Sequence, residues 1–292
     1  MRALITGADG QLARELVLTA SAGVEVRSVA RAECDITDSE IIDKVFKSFR
    51  PDIVINTAAY TAVDAAEENK KIAFEVNARG AENVAKAAEL LGARLIHISS
   101  DYVFDGHRST PYPPEAQTNP INVYGASKME GEKLALAAAP SAAIIRAGWL
   151  YSTTGMNFLV TILTALRSSR SLSVVADQEG CPTSAREFAV VLWKISGAGL
   201  RGIYHWSNSG SGSWYDFARE IAWVGQKLGL LGEEPEIRPV TTAEYPRPAK
   251  RPPYSVLDST KLAEALEVSP SSWQQALLRD MTEGFGGILH NG

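Results

Sequence analysis

The sequence predicts an α/β protein with a doubly wound parallel sheet, followed by a smaller C-terminal α/β region. Two observations favour this class. Short, almost wholly apolar runs alternate with longer helical segments through the first half of the chain, as strands buried on both faces of a parallel sheet do. A glycine-rich turn also joins the first strand to the first helix. The alternation of strands and helices indicates βαβ units.

Five strands and four helices are predicted in the first half. Asp38 is a typical cap for the second helix, and Gly92 is placed to end the third. The strands are Ala3–Thr6, Val24–Val29, Ile53–Ile55, Leu95–Ile98 and Ala143–Arg146. The helices cover residues 11–20, 39–49, 70–91 and 121–139. The carboxyl ends of these strands should meet at one edge, where ligands of open α/β sheets bind.

The pattern changes after Gly148, which divides the chain into a first domain, residues 1–148, and a second region, residues 149–292. Segments of the second region are expected to return to the first sheet. The Pro-rich stretch Tyr245–Tyr254 is too short for a domain linker and is interpreted as a loop over a site. The remaining predictions are helices at 156–169, 184–195, 214–228 and 272–284, and strands at 172–175 and 202–206.

Composition restricts the partners of this 292-residue chain. Its net charge of -5 argues against bulk nucleic-acid binding, which needs a basic face. No signal peptide is recognisable, and the most apolar stretch, Leu134–Leu150, is too short and too interrupted to span a membrane. Cys34 and Cys181 lack metal-ligand spacing and are expected to be reduced thiols. A cytoplasmic protein without membrane or nucleic-acid contacts is predicted.

The glycine-rich turn lies at residues 6–13, directly after the first strand. Gly7 permits a tight turn, Gly10 lets a pyrophosphate approach the backbone, and Ala13 is small enough for helix–strand packing. The first N–H groups of the following helix supply anion binding. This combination predicts a Rossmann fold that binds a dinucleotide.

Residues after the second and third strands make the prediction of the cofactor more specific. Arg31 follows the second strand, where an acid would favour NAD, and a guanidinium suits a 2′-phosphate. NADPH is therefore predicted, with NADH still possible, because Arg31 could also be an ordinary surface residue. Small residues follow the third strand and would let the dinucleotide pass, in the segment Ala58, Ala59, Tyr60 and Thr61.

A catalytic set is predicted from Ser100, Tyr124 and Lys128. Tyr124 and Lys128 are four residues apart and share one helix face, so the ammonium should lower the pKa of the phenol. Ser100 ends the fourth strand, where its hydroxyl would point into the crevice. Together they form the Ser-Tyr-Lys arrangement of short-chain dehydrogenases/reductases. The alternatives are a packing role for Tyr124 and a turn-capping role for Ser100.

Longer motifs carry a resemblance to one family. In order along nearly the whole chain, seven segments resemble dTDP-4-dehydrorhamnose reductases, an extended type of that superfamily. They are residues 7–13, Asn56–Asp64, Ser100–Gly106, Pro120–Lys128, Arg146–Tyr151, Asp177–Thr183 and Arg251–Leu257. The resemblance implies reduction of the 4-keto group of a dTDP-4-keto-6-deoxyhexose.

The resemblance also implies residue roles. Tyr124 would donate a proton to the ketone oxygen, Ser100 would hold that oxygen, and Lys128 would bind the nicotinamide ribose. The implied cofactor contacts are Gly10, Gln11, Leu12, Asp35, Ile36, Ala59, Tyr60, Thr61, Tyr124 and Lys128. The expected substrate contacts are Ser100, Asp101, Tyr102, Val103, Tyr124, Trp149 and Arg251.

Some of these roles have alternatives. Trp149 could instead be core packing at the domain junction. The basic cluster of Arg247, Lys250 and Arg251 could meet a diphosphate or be the exposed side of a stiff loop.

Related enzyme classes remain to be separated. Sugar-nucleotide 4,6-dehydratases carry an Asp-Glu pair after the strand-end hydroxyl, and Tyr102 replaces that Glu here, so the elimination base is missing. A 4-ketoreductase of another deoxysugar shares every motif. A non-catalytic NADP-binding regulatory subunit is a third alternative, although it would not need the intact triad.

Assembly is the last prediction from the resemblance. Some members of the family bridge subunits through Mg²⁺ held by glutamates. Glu15 and Glu283 match such positions, but Arg186 stands where a third carboxylate is expected. A guanidinium repels a metal, so no metal site is predicted, with either an Arg186–carboxylate ion pair or a monomer.

Overall fold

A computed structural model describes residues 1–168, 171–232 and 236–285. Its strands are β1 (Arg2–Thr6), β2 (Glu25–Val29), β3 (Ile53–Asn56), β4 (Arg94–Ser100), β5 (Ala143–Ala147), β6 (Leu150–Tyr151), β7 (Ser171–Val175), β8 (Glu179–Gly180), β9 (Thr183–Ser184), β10 (Gly202–His205), β11 (Gly212–Ser213) and β12 (Glu236–Val240). The α-helices are α1 (Gln11–Leu18), α2 (Ser39–Phe49), α3 (Val63–Glu68), α4 (Lys70–Phe74), α5 (Ala81–Leu90), α6 (Val123–Ala138), α7 (Phe158–Ser168), α8 (Ala185–Ala198), α9 (Trp214–Lys227), α10 (Thr260–Leu266) and α11 (Trp273–Phe285). A π-helical turn covers Glu75–Gly80, and a 3₁₀ turn covers Asp101–Val103.

The predicted parallel sheet is confirmed. In the described part of the chain it has the order β10-β5-β4-β3-β1-β2, and every neighbouring pair is parallel. β1 lies between β2 and β3, so the winding direction reverses at its carboxyl end. Loops on either side of such a switch point leave a crevice that binds ligands.

The longer predicted elements are confirmed, and none of their ends differs by more than three residues. Asp38 caps α2 by accepting from the N–H groups of Glu40 and Ile41, at 2.9 and 3.1 Å. The predicted helix over residues 70–91 is interrupted by the π-helical turn. Residue 169, the last of one predicted helix, lies outside the described residues. The sequence missed α3, α10, β12 and the two-residue strands β6, β8, β9 and β11, because such short elements carry little periodicity.

Helices cover both faces of the sheet. On one face, α1 and α8 pack through residues such as Leu16 and Phe188. On the other, α2, α5 and α6 pack through residues such as Phe46, Val84 and Ala135. A separate apolar cluster joins α7, α9 and α11 in the second region. The large sheet is therefore buried on both sides, which explains its apolar strands.

The second region contributes β10, which pairs with β5 at the edge of the large sheet. The division of the chain at residue 148 stays a prediction. Among the described residues, no helix combines the length and the apolar character needed to cross a membrane.

Candidate active site

A cleft of about 560 Å³ lies at the carboxyl ends of the central strands. The glycine-rich turn, the end of β4, the start of α6 and the segment after β5 form its walls. Of the residues predicted from the sequence, the cleft is lined by Gly10, Gln11, Leu12, Ala59, Thr61, Ser100, Asp101, Tyr102, Tyr124, Lys128 and Trp149. The fold thus brings the proposed catalytic set and the phosphate turn to one place.

The glycine-rich turn has the geometry needed to hold a phosphate. Gly7 has a φ of 80°, and a Cβ there would lie 2.8 Å from the backbone nitrogen of Ala58, so no other residue fits without a shift. Gly10 is the N-cap of α1 and has no side chain to cap it. The first N–H groups of α1 therefore remain available to an anion.

Gln11 lies beside this turn and has a side-chain oxygen that can accept a hydrogen bond from a ligand. Its amide nitrogen donates to the carbonyl of Leu150 at 3.0 Å, which fixes the side chain between the turn and the second region. Its Oε1 atom is buried and has no hydrogen-bond partner within the described structure. Buried acceptors are normally satisfied, so this oxygen is suited to a ligand donor, such as a cofactor hydroxyl or amide.

Ser100 is held by the turn that follows β4. Its hydroxyl accepts from the N–H of Tyr102 at 3.1 Å and donates to Asp101 Oδ1 at 3.0 Å. Burial raises the pKa of Asp101 to about 6, against hydrogen bonds from Ser255 and Ser100 that lower it. The capping alternative for Ser100 is thus present, but the same hydroxyl also lies in the cleft.

Tyr124 lies in the first turn of α6. Asn122 caps this helix by accepting from the N–H of Gly125 at 2.7 Å. Tyr124 is half-buried, and the Tyr102 ring packs edge-on against it at a centroid distance of 5.9 Å. The cap and the edge-on ring fix the phenol over the end of β4.

The expectation that Lys128 lowers the pKa of Tyr124 is corrected. Burial raises that pKa to about 12, the Ser100 hydroxyl opposes the rise by hydrogen bonding, and Asp101 adds to it. The Lys128 ammonium donates instead to the carbonyl of Ile98 at 2.7 Å. Tyr124 consequently holds its proton throughout the neutral range, as a proton donor must.

Lys128 is almost fully buried, at 2% exposure. Burial lowers its pKa to about 8, and the carboxylate of Glu132 one turn later opposes this shift. An ammonium that is desolvated to this degree is sensitive to its remaining partners. Its charge at neutral pH therefore depends on Glu132 as well as on the Ile98 carbonyl.

The sequence did not reveal the buried ion pair behind the cleft. Arg146 on β5 binds Glu132 through two nitrogens, at 2.8 and 2.7 Å, and both side chains are about 3–4% exposed. The hydroxyl of Ser99 also donates to Glu132. The ion pair thus joins the ends of β4 and β5 to α6. An Arg in an apolar strand is the signal that could have indicated it.

Asn77 in the π-helical turn was also missed. Its side chain accepts from the N–H of Tyr60 at 2.8 Å and donates to the carbonyl of Tyr60 at 3.0 Å and to the hydroxyl of Ser127 at 2.9 Å. The loop after β3 is thereby fastened to α6. π-helical turns are frequent at functional sites, but nothing in the local sequence signals one.

Gly125 lets α6 approach the turn after β4. A Cβ at this position would lie 2.0 Å from the carbonyl oxygen of Tyr102. We expect Gly125→Ala to push Tyr124 away from Ser100, to lower kcat/KM at least about tenfold and to destabilise the fold by about 1–3 kcal/mol. Steady-state kinetics and urea unfolding measure both effects.

The matched control is Gly197→Ala in α8, where a Cβ meets no atom within 4 Å. That change should leave kcat/KM unaltered and stabilise the helix by up to about 1 kcal/mol. Equal behaviour of the two variants would show that the contact with Tyr102 is not needed.

Several predicted cofactor residues lie outside the cleft wall. Arg31 is largely exposed and donates to Asp35 at 3.0 Å. Ile36 is buried against Gly80. Ala58 packs behind Gly7, and Tyr60 is held by Asn77. Their contacts with a cofactor stay predictions.

Two predicted substrate residues do not line the cleft, and their contacts with a substrate stay predictions. Val103 is completely buried in an apolar cluster with Phe104 and Leu257, so its side chain serves packing rather than the cleft. Arg251 binds Asp64, with Nη2 at 2.9 Å from Oδ2, and its side chain is 18% exposed. Burial lowers the pKa of Arg251, but the hydrogen bond with Asp64 and the interaction with Tyr102 outweigh burial and raise that pKa above its usual value. Arg251 therefore lies behind the cleft wall, beside Tyr102.

At the positions where the resemblance would place a metal bridge, the chain has an ion pair of its own. Arg186 Nη1 lies 2.9 Å from Glu283 Oε2. Burial raises the pKa of nearby Glu15, and the charge of Arg186 lowers it. In the described ranges no three acidic, His or Cys side chains are grouped to hold a metal. These residues do not fit Mg²⁺.

An assembly without a metal bridge stays a prediction. Sedimentation of the protein with Mg²⁺ and with EDTA should give the same mass. A mass that halves on chelation would contradict it.

Comparison with known proteins places the chain in a family. The model of the RmlD substrate binding domain matches residues 1–284. A dTDP-4-dehydrorhamnose reductase of Aggregatibacter actinomycetemcomitans is 41% identical over 284 residues, which cover 94% of this chain and 97% of the relative. The chain belongs to the dTDP-4-dehydrorhamnose reductase family. The predicted oxidoreductase class is thereby confirmed.

Two further similarities bear on cofactor and substrate. The structure of a Bacillus anthracis dTDP-4-dehydrorhamnose reductase in complex with NADP superposes with a TM-score of 0.91, at 37% identity and with 97% of this chain and 99% of that one covered. A probable dTDP-4,6-dihydroxy-2-methyloxan-3-one 4-ketoreductase of Streptomyces antibioticus is 37% identical over 99% of this chain and 96% of its own length. Relatives of this chain are therefore named for different sugar substrates.

Proposed function

We propose that the protein reduces dTDP-4-dehydrorhamnose to dTDP-rhamnose with NADPH. One observation carries the proposal: Ser100, Tyr124 and Lys128 line a single cleft beside a phosphate-binding turn, in a chain of the reductase family. The cleft volume of about 560 Å³ suits a small-molecule site. A regulatory subunit that only binds cofactor would have no need of this convergence.

The chemistry needs a hydride and a proton. NADPH, when bound, supplies the hydride to the carbonyl carbon of the sugar. Negative charge then develops on the ketone oxygen, where the Ser100 hydroxyl donates a hydrogen bond after turning away from Asp101, and Tyr124 delivers its proton. A phenol with a pKa raised to about 12 holds that proton until the oxygen becomes basic enough to take it. The products are the alcohol and oxidised cofactor.

Three features support NADPH as the cofactor. The turn at Gly7 and the open N-terminus of α1 suit its pyrophosphate, and Gln11 offers an unpaired oxygen. Arg31 is exposed beyond β2 and can reach a 2′-phosphate once it leaves Asp35. A related reductase was solved with NADP.

The test is an activity screen with both cofactors. Oxidation of NADPH and of NADH is followed after dTDP-4-keto-6-deoxyglucose and its epimerase are added. We expect turnover with the coupled substrate and a higher kcat/KM for NADPH. Cofactor binding without turnover of any keto-sugar nucleotide would support the regulatory subunit instead.

A second candidate is a 4-ketoreductase of another dTDP-deoxysugar. The Streptomyces antibioticus relative favours it, because its similarity extends over the whole chain. The same screen separates the two candidates when the uncoupled 4-keto-sugar is offered without the epimerase. Preference for the uncoupled sugar would favour this second candidate.

The pH dependence follows from Lys128. Its pKa of about 8 predicts that kcat/KM falls as the pH rises through 8, since the buried ammonium then loses the charge proposed to hold the ribose. Tyr124 keeps its proton over that range and does not cause the fall. The charged neighbour facing Lys128 is Glu132 on its own helix, and His97 on β4 is neutral because burial lowers its pKa.

A pH profile between 6 and 10 checks the alkaline flank. Lys128→Arg should lose activity overall, because a buried guanidinium fits poorly, yet show no flank near pH 8. If the alkaline flank of kcat/KM is unchanged in Lys128→Arg, the titrating group is not Lys128.

A further inference from the structure

Trp149 has an unusual backbone at the mouth of the cleft. Its φ is 52°, in the left-handed region that bulky side chains avoid at a cost of about 1–2 kcal/mol. A strained conformation of this kind persists only when its surroundings hold it. The side chain is partly exposed and lines the cleft.

Trp214 is the residue that holds it. The two indoles are stacked, with ring centroids 3.5 Å apart and planes within 3° of parallel. Trp214 begins α9, whose start is fixed by a reciprocal cap between Ser213 and Asp216. Phe158 packs on Trp214 at a centroid distance of 4.6 Å. Trp214 is thus anchored by its helix and by the apolar cluster of the second region.

Gly180 also contacts the Trp149 indole. β8 pairs with β11, so Gly180 lies opposite Gly212, two residues before Trp214. A Cβ on Gly180 would lie 2.3 Å from Cε2 of Trp149 and 2.5 Å from its Nε1. Any other residue would displace the indole. A glycine at position 180 therefore leaves room for the Trp149 indole.

We infer that Trp214 is a positioning residue that sets the affinity for the sugar ring of the substrate by holding Trp149 in place. The inference rests on the proposed function. A sugar ring packs its C–H groups on apolar side-chain atoms, and such packing requires an indole that does not rotate. Trp214 covers one face of the Trp149 indole and both residues line the cleft, so the stack fixes the part of Trp149 that the substrate meets.

Kinetics of Trp214→Ala and Trp214→Phe test this inference. The first should raise KM for the keto-sugar nucleotide at least about tenfold and alter the Kd of NADPH less than about twofold, because the phosphate turn is untouched. The second keeps a ring and should recover part of the affinity. The control is Trp223→Ala, on the same helix, half-exposed and outside the cleft. Equal KM values for the Trp214→Ala and Trp223→Ala enzymes would overturn the inference.

A double-mutant cycle with Trp149→Ala separates a positioning role from direct contact. If Trp214 acts through Trp149, the two changes are not additive, and the double variant resembles Trp149→Ala alone. Additive losses would overturn the positioning role.

Fluorine NMR gives a readout without turnover. With 5-fluorotryptophan, the Trp149 resonance, assigned by its absence in Trp149→Phe, should lose the ring-current shift of the stacked partner in Trp214→Ala. Gly180→Ala should move the same resonance with Trp214 intact, which covers the case that Trp214→Ala misfolds. An unmoved resonance in both variants would overturn the inference. Failure of the wild type to reduce any keto-sugar would overturn the proposed function alone, because the resonance still reports the stack.

Discussion

Replacing Tyr124 by phenylalanine should lower kcat by about 10²–10⁴-fold, the range that one general acid contributes. The ring keeps its packing against Tyr102, so only the phenolic hydroxyl, with the proton that it donates, is lost. The pKa of about 12 means that this proton is present at every pH used in an assay. The Kd of NADPH should change little, because the phosphate contacts are proposed to come from the turn at Gly10. Stopped-flow hydride transfer and calorimetric cofactor binding measure the two quantities.

The control for this change is Tyr204→Phe, a partly exposed phenol on β10 outside the cleft. It should leave kcat within about twofold of the wild type, as surface changes away from a site do. If NADPH binding collapsed together with kcat in Tyr124→Phe, Tyr124 would be a cofactor anchor rather than the proton donor.

The buried ion pair behind the cleft carries the largest expected effect on stability. Arg146→Met leaves Glu132 buried without its cationic partner, and breaking such a pair costs about 3–5 kcal/mol of unfolding free energy. Arg146 also donates to the carbonyl of Pro114 at 3.2 Å, and this bond is lost too. Urea unfolding, compared with that of the wild type, gives the difference.

Two matched variants isolate the cause. Lys47→Met breaks the exposed pair with Asp43 and should cost no more than about 1 kcal/mol. The double variant Arg146→Met with Glu132→Met removes both buried charges and should recover most of the loss. A double variant no more stable than Arg146→Met would show that packing, and not the unpaired charge, is responsible.

The same ion pair links stability to the pH profile. The carboxylate of Glu132 raises the pKa of Lys128 against the effect of burial. Glu132→Gln should therefore move the alkaline flank of kcat/KM below pH 8. An unmoved flank in a folded variant would exclude this coupling.

The sequence predicted the scaffold well because its signals are local and strong. Apolar runs give buried strands wherever a sheet is covered on both sides, and Gly7 and Gly10 identify a turn whose backbone geometry few residues allow. Tyr124 and Lys128 share a helix face by spacing alone. The order of the elements therefore predicts that the carboxyl end of β4 and the start of α6 lie at the cleft.

The sequence by itself determined the fold class and the family, and it predicted the phosphate turn and the catalytic set. Only the tertiary structure decided what surrounds them: that Lys128 is bonded to the carbonyl of Ile98, that Arg146 pairs with Glu132, and that Trp214 stacks on Trp149. The reason is physical. Periodicity and turn chemistry act between residues a few positions apart, whereas burial and charge pairing depend on groups that only folding brings together.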